Sequence, residues 1–144
     1  MKFNNKNKII PILASFLAEH ILENKKLYEG RVLVPVPGAE GKSRLDTAAA
    51  FCDWLNEKFG FKTMKILDKT RKIKPQYSLS VKERRQNVKD AFIVRDGISL
   101  KETAILLIDD IYTSGATVYN CTKALVAAGA QDVKVLTLAR TVSE

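Results

Sequence analysis

The sequence predicts an α/β domain of three layers, with a mainly parallel, twisted sheet flanked by helices. Stretches with the composition of β-strands alternate along the chain with stretches that have helical spacing. The last two predicted strands, at residues 103–108 and 133–138, are nearly continuous apolar runs, as is typical of parallel strands covered on both faces. At 144 residues the chain is long enough for one core, so we expect a single domain over residues 1–144.

The N-terminal half is predicted to begin with a flexible Lys- and Asn-rich tail at residues 1–8. An amphipathic helix follows at residues 9–27, with Pro11 tolerated in its first turn. The next elements are a strand at residues 31–37 that ends near Pro35, a helix at 45–59 stopped by Gly60, and a strand at 62–67. The helix at 45–59 is predicted to face inwards with Ala48, Phe51, Cys52 and Leu55.

The C-terminal half begins with a basic stretch, residues 69–90, that we predict to be a mobile loop. It has no strong apolar period, and Pro75 with the Ser78/Ser80 pair favours irregular structure. The remaining predicted elements are a strand at 91–94, a turn at Asp96–Gly97, the strand at 103–108, a helix at 119–128 ended by Gly129, and the strand at 133–138.

Composition excludes several classes of function. The single histidine and two cysteines without metal spacing argue against a zinc site or a Cys/His catalytic pair. Residues 9–17 resemble a signal peptide, but Glu19 and Glu23 follow closely within a helical period, so we expect a cytoplasmic protein. No apolar run approaches the roughly 20 residues that a membrane-spanning helix needs, so no membrane partner is expected.

Residues 105–117 are the stretch most typical of a ligand site. Four aliphatic residues lead to the adjacent carboxylates Asp109 and Asp110, which we expect at the C-terminal end of the strand. In parallel α/β sheets, ligands bind at that edge. Carboxylates accept hydrogen bonds, so they suit ribose hydroxyls or a water-bridged metal ion. Taken alone, an Asp-Asp pair more often stabilises a strand-to-helix turn.

The loop after the carboxylates favours the ligand interpretation. Its residues are Thr113, Ser114, Gly115, Ala116 and Thr117. Backbone N–H groups before a helix have no intrahelical partners, and with the helix dipole they attract a phosphate. A simple helix cap needs one hydroxyl residue, whereas this loop has three and a glycine.

Positive charge is concentrated in one segment. The net charge is +8, and residues 62–90 contain ten Lys and Arg against three Asp and Glu, a balance of +7. A solvated charge run is the usual explanation of such a stretch. Arg71, Arg84 and Arg85 instead suggest bidentate contacts to phosphate, from a loop that closes over a polyanion.

Residues 38–43 resemble a nucleotide-binding Walker A loop, but the spacing is wrong. Two residues separate Gly38 from Gly41, whereas the motif needs four. Hydrolysis of a nucleoside triphosphate is therefore a minor alternative. The sequence still predicts a second loop at residues 37–44 that favours anions.

Residues 105–117 resemble the signature of the type I phosphoribosyltransferases, in which a hydrophobic run leads to Asp-Asp and a Thr/Ser-Gly-x-Thr loop. The chain is more narrowly similar to the ComF branch, the competence-associated amidophosphoribosyltransferase-like proteins. Residues 34–37, the basic segment between Pro75 and Phe92, and residues 135–140 carry that similarity. The resemblance covers roughly residues 31–141 and implies the type I phosphoribosyltransferase fold.

The resemblance implies phosphoribosyl pyrophosphate bound with Mg²⁺ as the substrate, and transfer of its phosphoribosyl group to an unidentified nitrogen acceptor with loss of pyrophosphate. Asp109 and Asp110 would hold the ribose hydroxyls and meet the metal indirectly, through ligand or water, and residues 113–117 would hold the 5′-phosphate. The pyrophosphate would be met by Val36, Pro37 and Gly38, and by Arg71, Arg84 and Lys72 from the basic segment.

The chain departs from the resemblance in three places, one of which is Asp90, where a glycine is common. Related ComF proteins usually begin with a four-cysteine zinc ribbon that this sequence lacks, and residues 43–47 replace a typical Arg-Gly-Phe-Asn-Gln-like run. An alternative is a non-catalytic ligand sensor, or a nucleic-acid-binding protein that uses residues 62–90, although the few aromatic residues there disfavour single-strand stacking. The acceptor stays unassigned, and a homodimer stays open.

Overall fold

The computed structural model describes residues 6–38, 46–74 and 79–141. Helices and strands alternate along most of this length. The elements are α1 (Lys6–Glu23), α2 (Lys25–Tyr28), β1 (Val32–Pro35), α3 (Thr47–Phe59), β2 (Leu67–Lys69), α4 (Val81–Asn87), β3 (Phe92–Val94), β4 (Ala104–Tyr112), α5 (Ala116–Ala127) and β5 (Asp132–Arg140).

The main sheet has three strands in the order β1-β4-β5, and both pairings are parallel. β2 and β3 form a separate antiparallel pair. A single parallel bridge between Leu33 and Thr63 connects the chain before β2 to β1. The predicted α/β class with a mainly parallel sheet flanked by helices is confirmed.

Side-chain alternation along β4 produces one hydrophobic core on each face of the sheet. Leu106 and Ile108 pack with α1 and α3, whereas Ile105 and Leu107 pack with α5 and the β2–β3 pair. A strand covered on both faces reads as a continuous apolar run, which explains the sequence of β4.

The helix α3 forms as the sequence predicts. Its inward-facing residues are buried, its N-cap Asp46 accepts a hydrogen bond from the Ala49 amide at 3.1 Å, and its C-cap Gly60 has a φ of 71°. A carboxylate N-cap and a left-handed glycine C-cap are common ends of a helix. The predicted inward residues Ala48, Phe51, Cys52 and Leu55 are all confirmed.

The first predicted helix is wrong at both ends. Helix α1 begins at Lys6, so Pro11 lies inside it rather than in the first turn, and α1 ends at Glu23 before the short α2. The break comes at Asn24, whose amide and side chain both donate to the carbonyl of His20. A polar sequence at residues 6–8 therefore does not exclude a helix.

The basic segment is the main error of the sequence prediction. Its first residue, Lys69, belongs to β2, and residues 81–87 form α4. A reciprocal cap starts α4, because the Glu83 amide donates to the Ser80 hydroxyl at 3.3 Å and the Ser80 amide donates to the Glu83 carboxylate at 2.8 Å. Residues 75–78 lie outside the described parts of the chain.

The remaining strands differ from their predictions at their ends. β2 starts at Leu67, where the predicted strand at 62–67 was to end, and β3 and the turn at residues 96–97 form where expected. β4 continues four residues past its predicted end at Ile108, and β5 extends to Arg140. The two extensions pair with each other, since Tyr112 lies opposite Arg140.

Candidate functional site

Residues 36–38 and the two carboxylates lie at the edge of the sheet toward which the parallel strands β1 and β4 both run. Pro35 is paired with Ile108, and the Val36 amide donates to the Ile108 carbonyl at 2.8 Å. The chain that follows β1 therefore leaves the sheet next to the first of the two carboxylates. The structure brings residues 36–38 and Asp109 together, as the sequence predicts.

Asp109 and Asp110 lie in the C-terminal half of β4, because the strand continues past its predicted end at Ile108. The pairing of β4 with β5 continues through Tyr112 and keeps both acids in extended main chain. The two side chains differ in exposure: Asp109 is 8% exposed and Asp110 is half-buried. Each carboxylate accepts the amide of the residue after it, at 2.9 Å for Asp109 and 2.8 Å for Asp110.

Asp109 is the most perturbed acid of the site. Burial, with the negative charge of Asp110 as the second cause, raises the pKa of Asp109 from 3.8 to about 7. The hydrogen bond from the Asp110 amide opposes this rise, and the charge of Asp46 adds to it. The folded protein without a ligand therefore disfavours the ionised form of Asp109, whereas a cation or hydroxyl donors would favour it.

Residues 113–117, called the phosphate loop below, turn directly into α5. The helix begins at Ala116, three residues before the predicted start, so Thr117 belongs to its first turn. Gly115 has a φ of 74°, and a Cβ there would overlap the Tyr112 ring hydroxyl. Within residues 6–38, 46–74 and 79–141, the Ala116 amide meets only the Ser114 hydroxyl, at 3.4 Å, so the main chain of the loop keeps N–H groups for a ligand.

Tyr112 supports this loop, although no pattern in the sequence distinguishes it as a functional residue. Its ring packs against Gly115, and the Arg140 guanidinium lies 5.7 Å from the ring centre. The Thr141 amide also donates to the Tyr112 carbonyl at 3.0 Å. The extension of β4 and β5 therefore fixes the side chain that covers the turn.

The loop after β1 is held by two residues that sequence reasoning missed. The Gly38 amide donates to the Asp46 carboxylate at 3.1 Å, and the Lys69 ammonium donates to the Gly38 carbonyl. A Cβ on Gly38 would lie 2.9 Å from the Asp46 carboxyl carbon, so the glycine permits this close approach. The position of Asp46 before a helix was the available signal for its capping role, but nothing local indicated its contact with Gly38.

Two of the predicted cations of the basic segment, Arg71 and Lys72, follow β2, and the third, Arg84, belongs to α4. Arg71 donates to the Lys89 carbonyl at 3.2 Å, and Lys72 is exposed. Arg84 is half-buried on α4. The structure therefore associates Arg71 with the C-terminal end of α4 rather than with Gly38.

Hydrogen bonds from one side chain and from the main chain hold the described ends of the basic segment. The Asn87 side-chain oxygen accepts from the Lys74 amide at 3.2 Å, and the side-chain nitrogen donates to the Lys74 carbonyl at 2.9 Å. A neighbouring β-strand makes the same pair of bonds to a residue. The Thr70 amide donates to the Ala91 carbonyl at 2.9 Å. These contacts tie residues 70–74 to α4 and to the start of β3.

Two classes of chemistry lack support in the described residues. Both cysteines are buried, and burial raises the pKa of the Cys52 thiol to about 12, so neither suits a thiolate nucleophile. Residues 6–38, 46–74 and 79–141 contain no group of three or more His, Cys, Asp or Glu side chains that could hold a metal ion.

The helices in these ranges are too short or too polar to cross a membrane.

Known proteins resemble this chain in sequence. It is 32% identical over 141 residues to the competence protein ComFC of Streptococcus pneumoniae, a match that covers 96% of this chain and 60% of ComFC. It is also 32% identical over 90 residues to the DNA utilization protein YhgH of Escherichia coli O157:H7, covering 62% of this chain and 35% of YhgH. The chain thus spans less than two thirds of the length of either relative. No family model matches it.

Solved structures resemble the fold. A purine phosphoribosyltransferase from Pyrococcus horikoshii superposes with a TM-score of 0.56 at 15% identity, covering 91% of this chain and 73% of that one. A hypoxanthine phosphoribosyltransferase from Staphylococcus aureus gives 0.54 at 18% identity, with 92% and 65% covered. The phosphoribosylpyrophosphate synthetase of Mycobacterium smegmatis gives 0.53 at 18% identity, with 94% and 34% covered. The chain is therefore a ComFC homologue with the fold of the type I phosphoribosyltransferases.

Proposed function

We propose that this chain binds phosphoribosyl pyrophosphate with Mg²⁺ and transfers the phosphoribosyl group to a nitrogen acceptor, releasing pyrophosphate. One observation carries the proposal: a carboxylate pair of which Asp109 is buried, a loop whose amides find few partners among the described residues, and the Gly38 main chain share one sheet edge. A ribose that bears phosphates at opposite ends needs groups of these kinds on its two sides.

Asp109, Asp110 and the phosphate loop would form the ribose 5-phosphate half of the site. Each carboxylate already accepts one main-chain amide through its Oδ1, and we propose that the other oxygen accepts from a ribose hydroxyl when the ligand binds. The 5′-phosphate would take the amides of residues 113–117 at the N-terminus of α5. Hydrogen bonds from the hydroxyls of Thr113, Ser114 and Thr117 would add to this binding.

The pyrophosphate half would be the main chain at Val36, Pro37 and Gly38. The Gly38 amide now donates to a carboxylate, Asp46, and an incoming pyrophosphate would compete for that N–H. The Lys69 ammonium, bound to the Gly38 carbonyl, supplies a cation at the same place. Arg71, Lys72 and Arg84 are proposed to approach from the basic segment when the ligand is present.

The residues fit magnesium only as an indirect partner. Two acids are too few for a cage made by the protein, but Mg²⁺ commonly takes one or two carboxylates together with substrate phosphates and water. Asp109 and Asp110 would supply that share, directly to the ligand or through water. When bound, the metal would neutralise the charge that develops on the leaving pyrophosphate.

The reaction would be a displacement at the ribose C1 carbon. The bond from C1 to the pyrophosphate oxygen breaks, the bond from C1 to the acceptor nitrogen forms, and the ribose passes through a cation-like state. Such a step needs positioning and charge stabilisation rather than a covalent nucleophile. The raised pKa of the Cys52 thiol agrees with that scheme.

Calorimetry with phosphoribosyl pyrophosphate and Mg²⁺ tests the binding, and release of pyrophosphate with candidate acceptors tests the reaction. We expect heat of binding in the unmodified protein and its loss in Asp110→Asn. Asp53→Asn is the matched control, because Asp53 pairs with Lys65 on the surface of α3. Absence of heat and of any thermal shift in the unmodified protein would show that the substrate assignment is wrong.

A second candidate is nucleic-acid binding through the basic segment. The names of the relatives concern competence and DNA utilization. Exposed cations on and after α4, among them Lys82, Arg85 and Lys89, give that segment the charge to bind phosphates. This candidate requires salt-sensitive binding that survives Asp110→Asn and disappears in the double variant Arg84→Ala, Arg85→Ala.

A further inference from the structure

A cleft of about 540 Å³ lies between α4 and α5, outside the carboxylate pair. The phosphate loop forms one wall of this α4–α5 cleft through Ser114, Gly115 and Ala116. A phosphate on that loop would therefore lie at the mouth of a second open space. The other walls include Arg85, Lys89, Asp90, Tyr119, Asn120 and Lys123.

The cleft has an excess of positive charge. Its one acid, Asp90, is paired with Lys123 at 2.7 Å, and this ion pair lowers the pKa of Asp90. Arg85 and Lys89 are exposed and form no salt bridge with an acid in the described parts of the chain. Three cations face one carboxylate, so the lining favours an anion.

The wall with Lys89 and Asp90 is fixed to α5 close to the phosphate loop. Asn120 is 9% exposed; its oxygen accepts the Asp90 amide at 3.1 Å, and its nitrogen donates to the Ala116 carbonyl at 2.9 Å. One side chain thus connects the first turn of α5 to the residue after Lys89. The main chain beside Lys89 therefore stays close to the loop amides before any ligand arrives.

We propose that the α4–α5 cleft binds a second phosphate attached to the 5′-phosphate, so that the chain binds nucleoside 5′-diphosphates. The α-phosphate would take the amides of the phosphate loop, and the β-phosphate would extend into the cleft toward Arg85 and Lys89. A diphosphate at the 5′-position differs from the pyrophosphate at ribose C1, which would lie near Gly38. Such ligands would compete with phosphoribosyl pyrophosphate. The inference rests on the proposed function, because the loop must hold the first phosphate.

Calorimetric titration with AMP and with ADP tests the inference, in a chelator-containing buffer so that metal ions do not bridge phosphates. We expect ADP to bind about tenfold more tightly than AMP, an advantage equivalent to one good charged contact. The double variant Arg85→Ala, Lys89→Ala should lower the ADP affinity to that of AMP while AMP binds as before. The double variant Lys26→Ala, Lys82→Ala removes the same charge outside the cleft and should keep the advantage.

The outcomes separate the inference from the function on which it rests. Equal binding of AMP and ADP to the unmodified protein would overturn the cleft assignment and leave the loop assignment standing. An advantage of ADP that persists without Arg85 and Lys89 would overturn it as well. Failure of both nucleotides to bind would contradict the ribose 5-phosphate site itself.

Discussion

The phosphate loop takes its shape from the main chain, whereas the basic segment at residues 69–90 takes its shape from side chains. The loop follows a buried strand, turns at a glycine with φ of 74° and enters α5. The basic segment depends on a Ser80–Glu83 cap and on an Asn87 side chain that holds Lys74. A ligand site made of amides can form before the ligand binds, whereas cations on the basic segment depend on contacts that can break separately.

Among the variants that test this difference between the two regions, Gly115→Ala is expected to have the largest effect. A Cβ at Gly115 meets the Tyr112 ring in a left-handed turn, so we expect phosphoribosyl pyrophosphate to bind about a hundredfold more weakly. Gly97→Ala is the matched control, because its φ is 80° and a Cβ there meets nothing within 4 Å. Calorimetry should show normal binding in the control, and similar losses in both variants would remove the special role of the loop.

Asp109→Asn is expected to stabilise the protein, and only toward high pH. The folded pKa of about 7 exceeds the ordinary 3.8, so between these values the folded protein holds a proton that the unfolded chain has lost. The stability of the unmodified protein therefore falls as pH rises through that window. We expect the neutral amide to gain roughly 2 kcal/mol at about pH 8, and little at about pH 4.

Urea unfolding at both pH values, with a chelator present, measures this gain. A gain of the same size at both would show that burial of the Asp109 charge is not its cause. Lost binding of phosphoribosyl pyrophosphate should accompany the gain in stability, since the same carboxylate is proposed to hold the ribose.

Asn120→Ala is expected to break the connection between the two regions. The change leaves the partly buried Asp90 amide without its partner and removes the second donor to the Ala116 carbonyl, so we expect a loss of about 1–3 kcal/mol in unfolding free energy. Asn56→Ala removes one exposed bond, to the Phe61 carbonyl, and should cost less. If the two variants have equal urea midpoints, Asn120 is not the connection that the geometry indicates.

Ser80→Ala is expected to have the smallest effect. Loss of the cap should destabilise α4 by about 1 kcal/mol. Because α4 buries no residue of its own, amide hydrogen exchange over residues 82–87 should quicken with little change in global stability. Ser15→Ala, on the exposed face of α1, should leave that exchange unchanged. Unchanged exchange in Ser80→Ala would mean that other contacts determine α4.

Local signals explain how much of this fold the sequence could predict. The α/β class, the apolar strand at 105–108 and the buried face of α3 follow from periodicity and composition. Both are properties of residues that are close together in the sequence. The cap of α4 was also readable, because Ser80-Val81-Lys82-Glu83 has the spacing of a capping box. We predicted no helix at residues 81–87 because they have no apolar period, but an exposed helix does not need such a period.

Contacts between distant parts of the chain explain the rest. The position of Asp109 and Asp110 within β4 depends on pairing with β5, nearly thirty residues later. The contacts of Gly38 with Asp46 and Lys69, and of Asn120 with Asp90, likewise join elements that fold into place separately. The predicted roles of Arg71, Lys72 and Arg84 in binding stay predictions.

Titration with ribose 5-phosphate by calorimetry tests most directly the claim that the main chain of the phosphate loop, with the carboxylates, forms the sugar-phosphate half of the site. We expect binding in the unmodified protein, equal binding in the double variant Arg84→Ala, Arg85→Ala, and loss of binding in Gly115→Ala. Binding that survives in Gly115→Ala and disappears with the two arginines would contradict it.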